Sequence, residues 1–360
     1  MKSDRISKLT ITNFRKFSDF TVAGLAQVNL ITGNNNTGKS SLLEALHISA
    51  ANGSFSAIQS TITDRFGAYI HPDHEVAADH ISSYLPLFHG HPRIIDCDRP
   101  LTIVSQAETG ASNTITAEII PHDPDADSYP DREDIDDFAI KYEEGMTPLL
   151  KITSNASVRN ISFDYQGFHP LSSHTPSNHS SILVTLYSLR SNHHLLTLWD
   201  QIVLTPRQDM VLQALRIIEP EIQAISPREE REIYVAHSAY NHPVPLKSFG
   251  DGVNRIFGII LSLVCAKDGA LIVDEIETGL HYSAIEQMWQ LIFQLSAELK
   301  VQVFATSHSS DCVQAFSKIT NQSSTEGALI KLQNIEGKVY QTSFDENDLE
   351  VAYESQLELR

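Results

Sequence analysis

Regular hydrophobic patterns lie near both ends of the chain and are weaker between them. Residues 7–14 alternate, with Leu9 and Ile11 on one face, which is typical of a half-buried strand. Residues 28–32 form a second apolar run, which leads through a Gly/Asn-rich loop into a predicted helix over residues 39–50. The first part of the chain is therefore predicted to fold as strand, loop and helix.

The last third of the chain repeats this alternation. Apolar runs predict a buried helix over residues 253–266, buried strands over 270–273 and 301–306, and a closing pair of strands over 327–332 and 338–344. Apolar residues at helical spacing predict further helix cores at Val211, Leu212, Leu215, Ile217 and Ile218, and at Ile285, Met288, Trp289, Ile292 and Leu295. Repeated strand–helix–strand order predicts an α/β fold with a central, mostly parallel sheet.

The middle of the chain has no such regularity. It contains short strand-like runs, histidine-rich loops and a strongly acidic stretch over residues 123–144. We interpret residues 52–205 as an α+β insertion in a head domain made of residues 1–51 and 206–360. Because recognition is usually carried by loops on a rigid scaffold, the insertion is predicted to mediate dimerisation or partner contact.

Composition narrows the cellular setting. The N-terminus has no apolar signal segment, and the longest apolar stretch, residues 256–266, is too short to span a bilayer. The three cysteines, Cys97, Cys265 and Cys312, form no C-x-x-C pair. We therefore expect a cytoplasmic protein that does not contact a membrane.

The segment from Gly33 to Ser40 reads GNNNTGKS, which matches the phosphate-loop pattern G-x-x-x-x-G-K-[ST] between a strand and a helix. Such a loop turns backbone N–H groups toward phosphate oxygens, and the following helix adds the positive end of its dipole. Lys39 is predicted to reach the β and γ phosphates of ATP, and the Ser40 hydroxyl to bind Mg²⁺. The predicted nucleotide-binding residues of this loop are Gly33, Asn34, Asn35, Asn36, Thr37, Gly38, Lys39, Ser40 and Ser41.

A buried strand that ends in two acids supplies candidate catalytic groups. Asp274 is placed for the outer shell of Mg²⁺, and Glu275 for accepting a proton from the attacking water. His308 follows the next predicted strand, where its imidazole could contact the γ-phosphate. The order of these motifs along the chain favours a catalytic role for these residues. The alternative is that they are merely solvated residues at the ends of strands.

A glycine-rich segment precedes the buried helix over residues 253–266. Ser248 is placed to cap that helix, and Gly250 and Gly252 allow backbone to approach a phosphate closely. A plain helix cap with a glycine-rich turn is the alternative. The position of the S-x-G-x-G pattern, upstream of the acidic strand and of His308, favours the phosphate contact over the plain cap.

With the motifs ITNFRKF, ITGNNNTGKSSLLEAL, SFGDG, LIVDEIETGLH and ATSHS, the chain resembles ABC-class ATPases of the SMC/RecF superfamily. It is most similar to the overcoming-lysogenization-defect (OLD) group and its stand-alone relatives, many of which are encoded in bacterial anti-phage systems. The resemblance implies a two-lobed head and a homodimer, or higher oligomer, that sandwiches ATP and Mg²⁺. Ser248, Gly250 and Gly252 of one chain would then touch nucleotide held by Lys39 and Glu275 of the other.

The resemblance also suggests a nucleotide contact for Arg15, although a solvated or structural arginine is equally compatible with the sequence. Only 52 residues follow His308, too few for the Toprim domain of OLD nucleases, so nuclease activity is not expected from this segment. The glutamine of the usual Q-loop has no clear place, with Gln59 and Gln106 as candidates.

Two metal patterns are rejected. The acidic run from Asp123 lacks the glycine and the twelfth-position glutamate of a calcium loop. The histidine-rich segment has no C-x₂₋₄-C pair with which to form a zinc finger; its members are His169, His174, His179, His193 and His194.

These readings predict an ATP-binding and ATP-hydrolysing dimeric switch that controls a separate effector, such as a nuclease or toxin, in anti-phage defence. A RecF-like repair ATPase that binds duplex DNA directly is the first alternative, and a non-hydrolysing scaffold held together by ATP is the second. A basic groove would favour the first alternative, and turnover measurements would separate the second.

The formal charge of −19 leads to a prediction about DNA. Lysine and arginine supply non-specific DNA affinity by neutralising phosphates, and this chain has no Lys/Arg run. The isolated protein should show no tight binding to a non-specific duplex in a fluorescence-anisotropy titration over a salt series. Nanomolar binding that weakens steeply with salt would instead support the repair-ATPase alternative.

Overall fold

The computed structural model describes residues 4–66, 83–93, 99–122, 147–155, 157–164, 167–170, 181–190, 192–227 and 232–344. The acidic stretch over residues 123–144, Cys97, His174 and His179 lie outside the described residues. The strands are β1 (Ile6–Phe14), β2 (Phe17–Ala23), β3 (Val28–Gly33), β4 (Leu101–Ala107), β5 (Ser112–His122), β6 (Thr147–Ser154), β7 (Ser157–Asp164), β8 (Gly167–Pro170), β9 (Ser181–Val184), β10 (Ile222–Pro227), β11 (Ile233–His237), β12 (Val244–Pro245), β13 (Ala270–Val273), β14 (Gln302–Thr306), β15 (Gly327–Ile335) and β16 (Lys338–Phe344).

The described helices include counterparts of both segments for which the sequence predicted helix bounds, residues 39–50 and 253–266. They are α1 (Lys39–Ala50), α2 (Phe55–Phe66), α3 (Leu186–Arg190), α4 (Asn192–Asp200), α5 (Pro206–Ile218), α6 (Asp251–Cys265), α7 (Tyr282–Leu299) and α8 (Ser310–Gln322), with 3-10 turns at Leu85–Leu87 and Leu246–Phe249. None of the described helices has the length and the apolar character needed to cross a membrane.

The chain divides into a first unit of residues 1–23 and 44–178 and a second unit of residues 24–43 and 179–360. The second unit contains a sheet of strand order β16-β15-β3-β14-β13-β9. Neighbouring strands from β15 to β9 pair in parallel, and β16 pairs antiparallel with β15. The predicted mostly parallel sheet and closing strand pair are confirmed.

Burial explains why the central strands of this sheet are continuous apolar runs. Every residue of β3, β13 and β14 is buried, as is usual where helices cover both faces of a parallel sheet. Among these helices, α6 packs on α5, α7, β9 and β13, and it is buried throughout Arg255–Cys265. Aromatic packing joins α7 to α8, where the ring centroids of Trp289 and Phe316 are 5.0 Å apart. A small antiparallel sheet of β10, β11 and β12 completes the described part of this unit.

The first unit is built on an antiparallel sheet of strand order β2-β1-β4-β5-β6-β7-β8. The predicted alternation of β1 is confirmed, because Leu9 and Ile11 are fully buried while Thr12 is exposed. Opposite Ile11 lie Phe20 of β2 and Ile103 of β4, both also buried. The buried face of β1 is therefore completed by residues far away in the chain.

These pairings divide the chain differently from the head-plus-insertion scheme drawn from the sequence. Strands β4 to β8, from the segment 52–205, share a sheet with β1, whereas β9 and the two helices that follow it belong to the second unit. The physical reason is that alternation marks a strand but does not identify its pairing partner. The predicted role of residues 52–205 in dimerisation or partner contact stays a prediction.

Candidate nucleotide-binding site

The candidate site lies at the carboxyl edge of the parallel sheet in the second unit. Strand β14 pairs on one side with β3 and on the other with β13, so the ends of β3 and β13 lie two strand spacings apart, or about 10 Å. The phosphate loop follows β3, and Asp274 and Glu275 follow β13. Ligands bind at this edge in open α/β sheets. The fold thus brings the predicted phosphate and acidic groups together.

Gly33 is required at the start of the loop for two reasons. Its φ of +139° is rarely adopted by residues with a side chain. A Cβ atom built on Gly33 would also lie 2.3 Å from the Leu332 carbonyl oxygen of the neighbouring strand β15. The loop therefore passes closer to β15 than any residue other than glycine permits.

The remaining loop residues differ in exposure. Asn34, Asn35 and Asn36 are exposed, Thr37, Lys39 and Ser41 are buried, and Gly38 and Ser40 are half-buried. The Thr37 hydroxyl donates to the Asn34 carbonyl oxygen at 2.9 Å, which closes the loop on itself. Lys39 and Ser40 open α1, so the positive end of the helix dipole faces the loop.

Lys39 is held inside this loop by the backbone. Its Nζ atom donates to the carbonyl oxygens of Gly33 at 2.8 Å and of Asn34 at 2.9 Å. Burial lowers the pKa of Lys39, and the negative charges of Asp274, Glu275 and Glu277 oppose that shift. The ammonium group is therefore close enough to the acidic strand end to be stabilised by it.

Three side chains hold the turn at Asp274 and Glu275, and one of them, Thr278, donates its hydroxyl to Glu275 Oε2 at 3.2 Å. The Thr306 hydroxyl, at the end of β14, donates to Asp274 Oδ1 at 2.5 Å and accepts from the Glu275 N–H at 2.8 Å. On the other side, Arg255 Nη2 donates to the carbonyl oxygens of Asp274 at 3.2 Å and of Glu275 at 2.8 Å. Glu275 itself has a φ of +50°, which is uncommon for a residue with a side chain. The turn is therefore fixed in a conformation that it would not adopt unaided.

Glu277 connects this turn to the segment after β14. Its Oε1 atom accepts from the backbone N–H of His308 at 2.8 Å, while Oε2 is buried without a hydrogen-bond partner. Burial lowers the pKa of Arg255, and the charges of Glu277, Glu275 and Asp274 oppose that shift. His308 has an exposed side chain at the carboxyl end of β14. Glu277 thus links the two predicted catalytic residues. It lies two residues after Glu275 in the chain, and its carboxylate accepts a hydrogen bond from the His308 backbone.

The signature-like segment is exposed at the start of α6. Ser248 lies in the preceding 3-10 turn and Gly252 in the first turn of α6, where Ser248 and Gly250 are exposed. The prediction that Ser248 caps the helix is wrong. Gly250 occupies the cap position with a φ of +91°, and no side chain caps the helix there. The reason is that the 3-10 turn ends at Phe249 and only a residue that tolerates positive φ can redirect the chain into α6.

Arg15, in the first unit, is buried among protein acceptors. Its Nε atom donates to Glu44 Oε2 at 2.8 Å, Nη1 to the Pro86 carbonyl at 3.1 Å and Nη2 to the Thr61 carbonyl at 3.3 Å. These contacts give it the structural role that the sequence left open, and its contact with nucleotide stays a prediction. Gln59 lies in α2 and Gln106 in β4, also in the first unit, and neither position identifies a Q-loop.

The residues at the sheet edge fit a magnesium nucleotide. The glycine-lined turn at Gly33 brings backbone within reach of phosphate oxygens, and Lys39 supplies a cation inside the loop. Mg²⁺ is usually held by few protein oxygens together with phosphates and water. The Ser40 hydroxyl and the Asp274 carboxylate are donors of that kind, and the described residues contain no cluster of three His, Cys, Asp or Glu that could hold a metal by itself.

Three of the residues in this arrangement were not assigned a role from the sequence. Arg255, Glu277 and Thr306 each stand within or next to a recognised motif, so their positions gave a signal. Their roles could not be read because each acts through contacts between segments distant in the chain, such as Arg255 with the carbonyl of Glu275.

A parallel sheet with a phosphate loop and an acidic strand end at one edge defines a P-loop ATPase head of the ABC type. The chain belongs to the AAA ATPase domain family, whose model matches residues 5–195, more than half of the sequence. A second model, for AAA domains of the AbiEii toxin kind from type IV toxin–antitoxin systems, matches residues 152–311. The protein is thus an ATPase of the AAA family.

Individual relatives agree with this class. The chain is 22% identical over 339 residues to an ATP/GTP phosphatase of Helicobacter pylori, covering 88% of this chain and 89% of that protein. Its fold is similar to that of an SMC head crystallised with the C-terminal winged-helix domain of ScpA. The TM-score is 0.51 at 11% identity, over 94% of this chain and 98% of the SMC head.

The geometry of the loop predicts that Lys39→Ala strongly weakens ATP binding. A charged hydrogen-bond donor to phosphate is lost, and we expect the Kd to rise by about 100-fold in titration calorimetry. Since phosphate binds the charged amine, affinity in the parent should fall as pH rises, and burial moves this fall to a lower pH than for an ordinary lysine. Lys267→Ala, an exposed lysine after α6, is the matched control. An unchanged Kd for Lys39→Ala would show that ATP binds elsewhere.

Proposed function

We propose that this ATPase works as a nucleotide-sandwiched homodimer, or a higher oligomer, whose ATP cycle controls a separate effector in anti-phage defence. The observation that carries the proposal is the convergence of Lys39, Asp274 and Glu275 at one sheet edge, with a signature-like segment exposed on the same unit. The effector would be a nuclease or a toxin.

Hydrolysis would follow from the positions of these side chains. The oxygen of a water molecule attacks the γ-phosphorus, the bond from that phosphorus to the β–γ bridging oxygen breaks, and ADP and phosphate are released. The Glu275 carboxylate accepts the proton of the water, and Lys39 offsets charge on the β and γ phosphates. A bound Mg²⁺, held by Ser40 and, through its outer shell, by Asp274, would neutralise phosphate charge.

A second copy of the chain would complete the site. Ser248 and Gly250 are exposed, and α6 begins directly after them. A helix N-terminus with exposed backbone N–H groups favours an anion. We therefore assign Ser248, Gly250 and Gly252 to the γ-phosphate bound by the other protomer, with His308 contacting the phosphate bound by its own.

The link to defence is supported by the match of residues 152–311 to the AbiEii toxin kind of AAA domain. Partner contact is supported by the SMC head of similar fold, which is bound by a domain of ScpA. In this chain the predicted catalytic and nucleotide-binding residues other than Arg15 lie in the second unit. We assign the effector contact to the part of the segment 52–205 that lies in the first unit, which carries none of the predicted catalytic residues.

The test of the proposed function is Glu275→Gln, which retains the shape of the side chain but cannot accept the proton of the water. This variant should bind ATP with the affinity of the parent, lose turnover, and accumulate as a dimer with ATP and Mg²⁺. Light scattering would measure the dimer and a phosphate-release assay the turnover. Glu298→Gln, at an exposed position of α7, is the control and should behave as the parent does. Parental turnover in Glu275→Gln would assign the base to another residue, and an ATP-bound monomer would contradict the sandwich.

A further inference from the structure

The turn that carries Asp274 and Glu275 is held by Arg255, by Thr278 and by one hydroxyl group from a neighbouring strand. Thr306 is the last residue of β14 and has no solvent exposure. It lies opposite Ile31 of β3 in the parallel register. The strand end is therefore fully buried within the sheet, and the Thr306 side chain has little room to choose another partner.

The hydroxyl both donates and accepts a hydrogen bond on this turn. The Thr306 hydroxyl donates its proton to Asp274 Oδ1 at 2.5 Å. A lone pair of the same oxygen accepts the Glu275 N–H at 2.8 Å. The Thr306 carbonyl accepts the N–H of Ile276 at 3.0 Å. One residue thus binds polar groups of three consecutive residues.

These contacts matter because the turn is strained. Glu275 has a φ of +50°, a conformation that persists only where the surroundings enforce it. Arg255 binds the carbonyl oxygens of Asp274 and Glu275, but this leaves the Asp274 carboxylate and the Glu275 N–H to Thr306. Without the hydroxyl, the Asp274 carboxylate and the Glu275 N–H would lose this partner, and fewer contacts would enforce the strained backbone that carries the Glu275 carboxylate.

We propose that Thr306 is a positioning residue for ATP hydrolysis, which holds the Asp274 carboxylate toward the metal and the Glu275 carboxylate toward the attacking water. This inference rests on the proposed hydrolysis by Glu275 and adds to it a residue that touches neither nucleotide nor water. Because the proposed role belongs to the hydroxyl group, serine at position 306 should preserve the function of threonine, whereas the isosteric valine should not.

The experiment compares Thr306→Val and Thr306→Ser with the parent. In Thr306→Val we expect kcat to fall by about 100-fold, the scale of a misplaced catalytic group, while ATP affinity in EDTA stays unchanged. The Mg²⁺ concentration needed to raise ATP affinity, measured by titration calorimetry, should increase, because Asp274 is no longer oriented. Thr306→Ser should retain parental kcat and parental Mg²⁺ dependence.

Thr320→Val is the matched control for loss of a buried hydroxyl. Its hydroxyl donates to the Phe316 carbonyl of its own helix, and its kcat and Mg²⁺ dependence should equal those of the parent. Thermal melting of each variant separates lost folding from lost catalysis. If Thr306→Val does not fold, the test rests on Thr306→Ser, which keeps the hydroxyl group. Parental kcat in Thr306→Ser supports the proposal, whereas a lower kcat, as expected if only packing matters, overturns it.

Parental kcat in a folded Thr306→Val protein would also overturn the proposal. If Glu275→Gln is inactive, that result would contradict the positioning role of Thr306 but not the proposed function. A parent protein that does not hydrolyse ATP would remove the proposed function itself.

Discussion

Parallel pairing of β14 with both β3 and β13 is the constraint on which the site depends. The three strands are buried along their whole length, so their polar continuations can emerge only where the strands end. Because parallel strands end at the same edge, the loop after β3, the acids after β13 and the segment after β14 meet there. The nucleotide chemistry of the chain is in this sense a consequence of sheet topology.

Charge balance at this edge keeps buried cations in place. Lys39 and Arg255 are both buried, and burial of an isolated charge is unfavourable. Asp274, Glu275 and Glu277 offset that penalty for both cations. A phosphate group would extend the same arrangement, because it brings negative charge to Lys39 while the Asp274 carboxylate remains bound to Thr306 and the Glu277 carboxylate to the backbone of His308.

Much of this could be predicted from the sequence because the information is local. The apolar runs of β3, β13 and β14, the boundaries of α1 and the order of the motifs require only neighbouring residues. The pairing of β1 with β4 could not be predicted, since it joins Ile11 to Ile103 across a long segment without a diagnostic pattern. It is this pairing that places most of the middle segment in one sheet with the N-terminus.

Side-chain roles divide in the same way. Lys39 and Glu275 could be predicted as site residues because each belongs to a motif with fixed spacing. The contacts of Thr306 and Arg255 with the turn at Glu275 could not be predicted, because they cross from one segment to another. The cap at α6 was assigned to Ser248 because serine is a common N-cap residue, whereas the backbone there needs the positive φ of Gly250.

The central claim, that each nucleotide site is shared by two chains, is tested most directly by mixing two inactive variants. Lys39→Ala disables the phosphate loop, and Ser248→Arg places a bulky side chain on the exposed signature segment. In an equimolar mixture, half of the randomly formed dimers contain one of each chain, and each of these has one intact composite site. The account predicts that turnover returns to about a quarter of that of the parent. Turnover that never exceeds the sum of the separate variants, at any mixing ratio, would contradict it.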